Sequence, residues 1–137
     1  MKQSFKELTR SQVLALTRWG EQKLRYAMER KALLHPERVG RLYVYDPAEV
    51  YAVSPEAREA LDQLLAFCPR TESGRHFTEA FSRWMDLEAA GLIEVHRPVH
   101  PATGLQYSCE YWDVQLTLQG MAVSEYIAEL KDNGALD

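Results

Sequence analysis

Thr9-Arg10-Ser11-Gln12-Val13-Leu14-Ala15-Leu16-Thr17-Arg18-Trp19-Gly20-Glu21-Gln22-Lys23-Leu24-Arg25-Tyr26-Ala27-Met28-Glu29-Arg30-Lys31 is the stretch from which the fold is read. Thr9 and Gln12 stand at capping-box spacing: the threonine hydroxyl accepts from an early backbone N–H while the glutamine reaches back. A short helix follows, with Val13, Leu14 and Leu16 on its apolar side. Trp19-Gly20 ends it, and Gly20 is expected to take the left-handed conformation of a tight turn. A second helix runs from about Glu21 to Lys31 and keeps Leu24, Ala27 and Met28 on one face by three-and-four spacing. Two short helices joined by a tight turn are a helix-turn-helix pattern.

Downstream, His35-Pro36-Glu37-Arg38-Val39-Gly40 reads as a polar turn and Arg41-Leu42-Tyr43-Val44-Tyr45 as a small β wing. Asp46 is an N-cap with Pro47 at the first helical position and Glu49 closing an acidic capping box. The first module ends near Val53. Ser54-Pro55-Glu56 starts another helix, striped by Ala57, Ala60, Leu61, Leu64, Leu65 and Phe67 up to Pro69. Residues 70–75 form a polar connection. Thr78 caps a helix through Ala90 carrying Phe81, Trp84, Met85 and Leu87, and Gly91 follows as its C-terminal glycine. Leu92 to Val95 is a strand, Pro98 to Gly104 a loop, and Leu105 to Leu116 mostly strand. Thr117 then opens a last helix with Met121, Val123, Tyr126, Ile127 and Leu130. The expected fold is mainly α with small β wings (α+β): tandem winged helix-turn-helix modules, residues 1–53 and 54–137, packed together.

The 137-residue chain is 46% hydrophobic and 26% charged, with room for one ordinary domain or two very small ones and for a buried core. That length excludes a large enzyme barrel. No apolar run is long enough to span a bilayer and no signal peptide is evident at Met1 to Glu7, so a cytoplasmic protein without a membrane partner is expected. Cys68 and Cys109 have no CxxC spacing and point to neither a disulfide framework nor a four-cysteine zinc site. The net charge of −4 hides an asymmetry. Residues 1–45 hold ten Lys and Arg against four acids, whereas residues 46–137 hold six against sixteen. A basic segment facing a polyanion accounts for this division; uneven surface charge is the plainer account.

Lys23-Leu24-Arg25-Tyr26-Ala27-Met28-Glu29-Arg30-Lys31-Ala32-Leu33-Leu34-His35-Pro36, followed by Gly40-Arg41-Leu42-Tyr43 and Asp46-Pro47-Ala48-Glu49-Val50, resembles the DNA-binding domain of MerR and excisionase-like regulators. The resemblance covers about residues 8–53. Ala27 stands where a second aromatic often follows Arg-Tyr, and Lys31-Ala32 replaces the usual glycine before Leu-Leu. No long coiled-coil helix follows, so the resemblance does not extend to an effector-sensing metal regulator. Residues 54–137 look like a generic winged helix of the MarR or PadR kind, carried by Leu87-Glu88-Ala89-Ala90-Gly91-Leu92-Ile93 and by Val114-Gln115-Leu116-Thr117-Leu118-Gln119-Gly120.

A helix that enters the major groove presents donors to base edges and cations to phosphates. Off the Leu24/Met28 face lie Gln22, Lys23, Arg25, Tyr26 and Arg30. Gln22 and Lys23, near the helix start, are candidates for base readout. The resemblance aligns Arg25 and Tyr26 with residues that touch the duplex, and Arg41 with a wing arginine that contacts backbone or minor groove. Arg18 is a candidate phosphate holder beside the turn. Each has a plainer reading: Arg25 pairs with Glu21 or Glu29, Tyr26 packs, and Arg41 is a solvated strand residue. The helix from Thr78 shows Glu79, Ser82, Arg83, Asp86, Glu88 and Ala89 outward, an acidic surface that phosphates repel. The second module is therefore expected to serve dimerisation or protein docking, with Tyr107, Tyr111 and Trp112 supplying apolar area.

His96 and His100 are four apart, but Pro98 between them forbids a helical ligand pair, and adding Cys109 or His76 makes no convincing metal site. No phosphate loop, dinucleotide fingerprint or nucleophile elbow occurs. The expectation is a non-enzymatic, cofactor-free, sequence-specific binder of double-stranded DNA, acting as a homodimer in transcription, replication or recombination of a bacterial, phage or plasmid system. The alternative is a winged-helix adaptor or inhibitor of a transcription or replication enzyme that does not touch DNA.

Overall fold

The capping box at Thr9 forms as the spacing predicts: Gln12 N–H donates to Thr9 Oγ1 at 3.3 Å and Thr9 N–H to Gln12 Oε1 at 2.9 Å. From this start the computed structural model describes residues 6–66, 81–108 and 111–136. The elements in order are β1 (Leu8–Thr9), α1 (Arg10–Thr17), α2 (Glu21–Glu29), β2 (Glu37–Val39), β3 (Leu42–Tyr45), α3 (Pro47–Val53) and α4 (Pro55–Ala66). They continue as α5 (Phe81–Ala89), β4 (Ile93–His96), β5 (Asp113–Leu116) and α6 (Leu118–Asp132). The fold is mixed α+β, with helices carrying one antiparallel three-stranded sheet, β1-β3-β2, and one two-stranded sheet, β4-β5. Phe67, Cys68, the 70–75 connection, His76, the Thr78 cap, Glu79 and Cys109 lie outside the described residues.

The tight turn between α1 and α2 is built differently from the sequence reading. Arg18 takes the left-handed conformation (φ 58°) and returns its N–H to Leu14 O at 2.9 Å. Gly20 is extended, φ −82° and ψ 170°, and serves as the N-cap of α2. A second left-handed residue, Ala32 (φ 49°), follows α2 and turns the chain so that Leu33 N–H reaches Ala27 O at 2.8 Å. It occupies the stretch where the family resemblance has a glycine, and α2 accordingly ends at Glu29, short of Lys31.

Residues 37–39, read from sequence as turn, form β2 and pair with β3 in the register Glu37↔Val44, Arg38↔Tyr43, Val39↔Leu42. An edge strand with two exposed residues and one half-buried residue carries too little apolar alternation to be recognised. Gly40 (φ 64°) opens the two-residue hairpin loop, the position at which such loops require positive φ. The Asp46 cap is as expected, accepting from Ala48 N–H at 2.9 Å. Glu49 does not close a capping box; it accepts from His35 N–H at 2.8 Å and holds His35 Nδ1 at 2.7 Å, tying the root of the wing to α3.

Among the described residues of the expected strand from Leu105, Asp113–Leu116 pair with Ile93–His96 and Gln106 forms an isolated bridge with Val99. Pro98 and Pro101 remove ladder donors, and His100, Tyr107 and Tyr111 pack against one another with tilted rings. Ring centroids of His100 and Tyr107 are 5.9 Å apart, and those of Tyr107 and Tyr111 5.6 Å apart.

A single continuous cluster of buried residues joins the two ends of the chain: Leu8, Leu16, Leu24 and Tyr51 share it with Leu61, Leu64, Trp84, Leu87 and Ile127. α1 packs on both α4 and α5, and α6 on α3 and α4. Polar bonds reinforce the seam. Tyr126 donates its hydroxyl to Asp46 Oδ1 at 2.8 Å; burial, that bond and the charges of Asp46 and Glu49 push the phenol up to about 12. Lys131 reaches Tyr51 Oη at 2.8 Å and Asp62 Oδ1 at 3.2 Å. At the other end of α6, Thr117 N–H donates to Leu92 O at 3.1 Å and its hydroxyl to Gly91 O at 2.8 Å.

That stitching presses Gly120 against the backbone of Leu92, the residue before β4. A Cβ at Gly120 would meet Leu92 O at 1.9 Å, a backbone atom that cannot swing away. Gly120→Ala is expected to lower stability by about 2–3 kcal/mol, read as a fall in urea midpoint at constant m-value; an unchanged midpoint contradicts the close approach. Ala32→Gly should have the opposite sign. Relief of the left-handed alanine outweighs the greater freedom of the unfolded glycine, for a gain of about 0.5–1 kcal/mol in the same titration.

Candidate nucleic-acid interface

α2 is amphipathic by construction: Leu24 and Ala27 are buried, Met28 is half-buried, and Gln22, Lys23, Arg25, Tyr26, Glu29 and Arg30 are exposed. Gln22, Arg25, Tyr26, Glu29 and Arg30 together line a shallow concavity of about 210 Å³. Tyr26 is 49% exposed. Lys31 places its ammonium 5.7 Å from the Tyr26 ring centroid, and Lys23 sits 5.5 Å from that of Trp19. Such distances are within cation–π range and preorganise both ammonium groups.

Of the two carboxylates of α2, Glu29 lines this concavity and Glu21 does not. Glu21 pairs with Arg10, so the Glu21–Arg25 alternative is not the one adopted. Arg25, Arg30 and Arg41 make no ion pair among the described residues. Arg41 occupies the second position of the wing loop and is exposed, with Leu42 64% and Tyr43 45% exposed beside it. Arg38 stiffens the loop by donating Nε–H to Gly40 O at 3.0 Å. Neither Arg38, read from sequence as part of a polar turn, nor Lys31, read as a helix end, is among the expected contact residues; their places in the wing and after α2 are the available signal.

Arg18 is different. Its Nε–H is shared between the two oxygens of Asp86, at 3.1 and 3.0 Å, and Nη2 reaches Ser82 O at 3.4 Å. The side chain that sequence reasoning assigned to phosphate thus joins the α1–α2 turn to α5. Asp86 also takes Arg83 at 3.3 Å, and Arg83 reaches Glu59 at 2.6 Å. Glu88 holds Arg97 through two bonds of 2.6 Å, and Arg97 in turn covers the Trp112 ring at 4.5 Å. These bonds keep Arg97 more firmly protonated than an ordinary arginine. The outward acids of α5 that read as a bare acidic surface are therefore paired: Asp86 with Arg18 and Arg83, Glu88 with Arg97.

On the second hairpin, Val99 (52%), Leu105 (70%) and Tyr111 (61%) are exposed, while Trp112 is half-buried and donates its indole N–H to Tyr107 O at 3.0 Å. No described helix is long and apolar enough to cross a membrane. No protein-family model, curated protein or solved structure matches the chain.

Asp86→Ala tests the joint between the turn and α5. Two arginines lose a carboxylate that is only 12% exposed, and a loss of about 1–2 kcal/mol is expected by chemical denaturation. In a double-mutant cycle, Arg18→Ala should add little once Asp86 is gone; full additivity would show that the pair does not couple.

Proposed function

We propose that the chain is a sequence-specific double-stranded DNA-binding protein, a cytoplasmic regulator of transcription or of replication and recombination in a bacterial, phage or plasmid system. Its two halves are read as tandem winged helix-turn-helix modules, residues 1–53 engaging the duplex and residues 54–137 assembling the complex. The observation that supports the reading is the cationic array on α2 and its wing: Gln22, Arg25, Tyr26 and Arg30 share one exposed concavity with a single carboxylate, Glu29, and Arg41 stands in the hairpin loop, none of the three arginines ion-paired among the described residues. A nine-residue helix with donors on its outer face suits the major groove, and a stiffened basic hairpin suits the flanking backbone or minor groove. Gln22 and Lys23, in the first turn, are placed for base edges. Arg18 contributes by fixing the angle of the turn on α5.

A helix of this length reads few base pairs, so a homodimer on paired half-sites is the natural assembly. Exposed Val99, Leu105 and Tyr111 favour a second role for residues 54–137 in docking a protein, either a second copy or a partner enzyme. Neither cofactor nor catalysis enters this reading.

Charge reversal at Arg25 and Arg41 together (Arg25→Glu, Arg41→Glu) is expected to abolish binding to a pool of random duplexes while shifting the thermal midpoint by less than about 3 °C, since neither side chain has an ion-pair partner among the described residues. For the unaltered protein, affinity should fall by about 10²-fold or more between roughly 50 and 200 mM salt, as release of several counterions requires. Retention of duplex affinity by the double variant rejects the assignment; a stoichiometric protein partner with no duplex affinity at low salt favours the adaptor.

A further inference from the structure

Behind the DNA-facing side of α2, where it approaches the junction of α3 and α4, lies a groove of about 570 Å³, large enough for a small organic ligand. Ala27, Leu33 and Val53 give it an apolar lining, and Trp19 and Tyr26 contribute aromatic rings. Leu33 is 44% exposed, so an apolar wall is presented to solvent rather than packed away. Lys23 and Lys31 also line it, each held within cation–π distance of one of the two rings. Neither lysine has an ion-pair partner among the described residues. Among the described residues Glu56 is the one carboxylate in the lining, and it accepts from the hydroxyl of Ser54, in the backbone turn that starts α4.

Two rings, an apolar wall and two ammonium groups against one carboxylate define a ligand that is flat, apolar over most of its surface and negative at one end. We propose that this groove is a binding site for an aromatic carboxylate of one or two rings, with the rings against Trp19, Tyr26 and Leu33 and the carboxylate between Lys23 and Lys31. Its regulatory meaning rests on the DNA-binding reading: Lys23 and Tyr26 belong to both surfaces, so an occupied groove withdraws an ammonium and a ring from the duplex. Ligand and DNA then compete, and each lowers the affinity for the other by the same factor.

The probe is 2-naphthoate, titrated into the full chain without DNA and followed by calorimetry and by the indole N–H resonances, that of Trp19 identified with Trp19→Phe. Saturable binding with a Kd of about 0.1–1 mM is expected for a ligand of this size, with the largest shift at Trp19. Neutral 2-naphthalenemethanol and the Lys31→Met variant should each bind at least about fivefold more weakly, and Leu33→Glu, which places a like charge at the wall, should abolish binding. Each variant is checked for an unchanged pattern of dispersed amide resonances. Absence of saturation at about 5 mM, equal affinity for the alcohol, or an unaltered Lys31→Met overturns the site. A separate arm measures duplex affinity with and without saturating 2-naphthoate. Competition supports the coupling, and simultaneous binding without competition rejects it. A chain that binds 2-naphthoate but no duplex keeps the site and removes the DNA reading instead.

Discussion

The side-chain amide of Gln12 is the joint on which the arrangement of the helices depends. Its oxygen closes the capping box at the start of α1, accepting from Thr9 N–H, while its nitrogen donates to Ala90 O and to Gln119 Oε1 at 2.7 Å each. Gln119 completes the ring by donating to Glu7 O at 2.8 Å. One residue thus starts the first helix, satisfies the carbonyl just past the end of α5 and fixes the first turn of α6. A half-buried amide with several donors and acceptors to satisfy accepts few alternative geometries, so this network specifies orientation where apolar packing alone would tolerate sliding. Leu8, Val13, Leu16 and Trp84, all fully buried, supply the packing that makes the orientation worth specifying.

Electrostatics follow from that orientation. With α1 seated on α5, the left-handed Arg18 faces Asp86, and the carboxylates of α5 are consumed by Arg18, Arg83 and Arg97. On α2 the balance differs, because Lys23, Arg25 and Arg30 are exposed and make no ion pair among the described residues. The contrast is sharper than the composition implies. Net charge along the chain divides it into a basic and an acidic segment, but what matters to a polyanion is which charges are already paired, and pairing here crosses between the segments.

Much of the local structure was legible. Thr9/Gln12, Asp46-Pro47, Ser54 and Thr117 each announced a helix start, because a cap is a short-range hydrogen bond between a side chain and the backbone two or three residues away. The α2 residues were legible as a site for a related reason: a three-and-four stripe of Leu24, Ala27 and Met28 dictates which side chains face outward. Three features escaped. Gly20 was given the left-handed role that Arg18 plays, since glycine is the default and nothing local foretells that Asp86 will hold an arginine there. β2 was taken for a turn because an edge strand with exposed residues has no alternation to detect. The second hairpin was drawn too long because aromatic residues that pack against one another and aromatic residues that line a ladder have the same propensity.

The groove behind α2 shows the same division most plainly. Trp19, Lys23, Tyr26 and Lys31 lie within thirteen residues of one another in sequence, but Val53 and Glu56 join them only once α3 and α4 have folded back. Sequence by itself determined the helix starts, the buried stripe, the exposed basic face of α2 and the mixed α+β class, all set by interactions spanning a few residues. Tertiary structure alone decided that Arg18 is tied to Asp86, that the acids of α5 are paired, and that an apolar groove adjoins the cationic face. Those outcomes depend on contacts between residues dozens of positions apart, whose meeting follows from core packing and the amide joint at Gln12 rather than from any local preference.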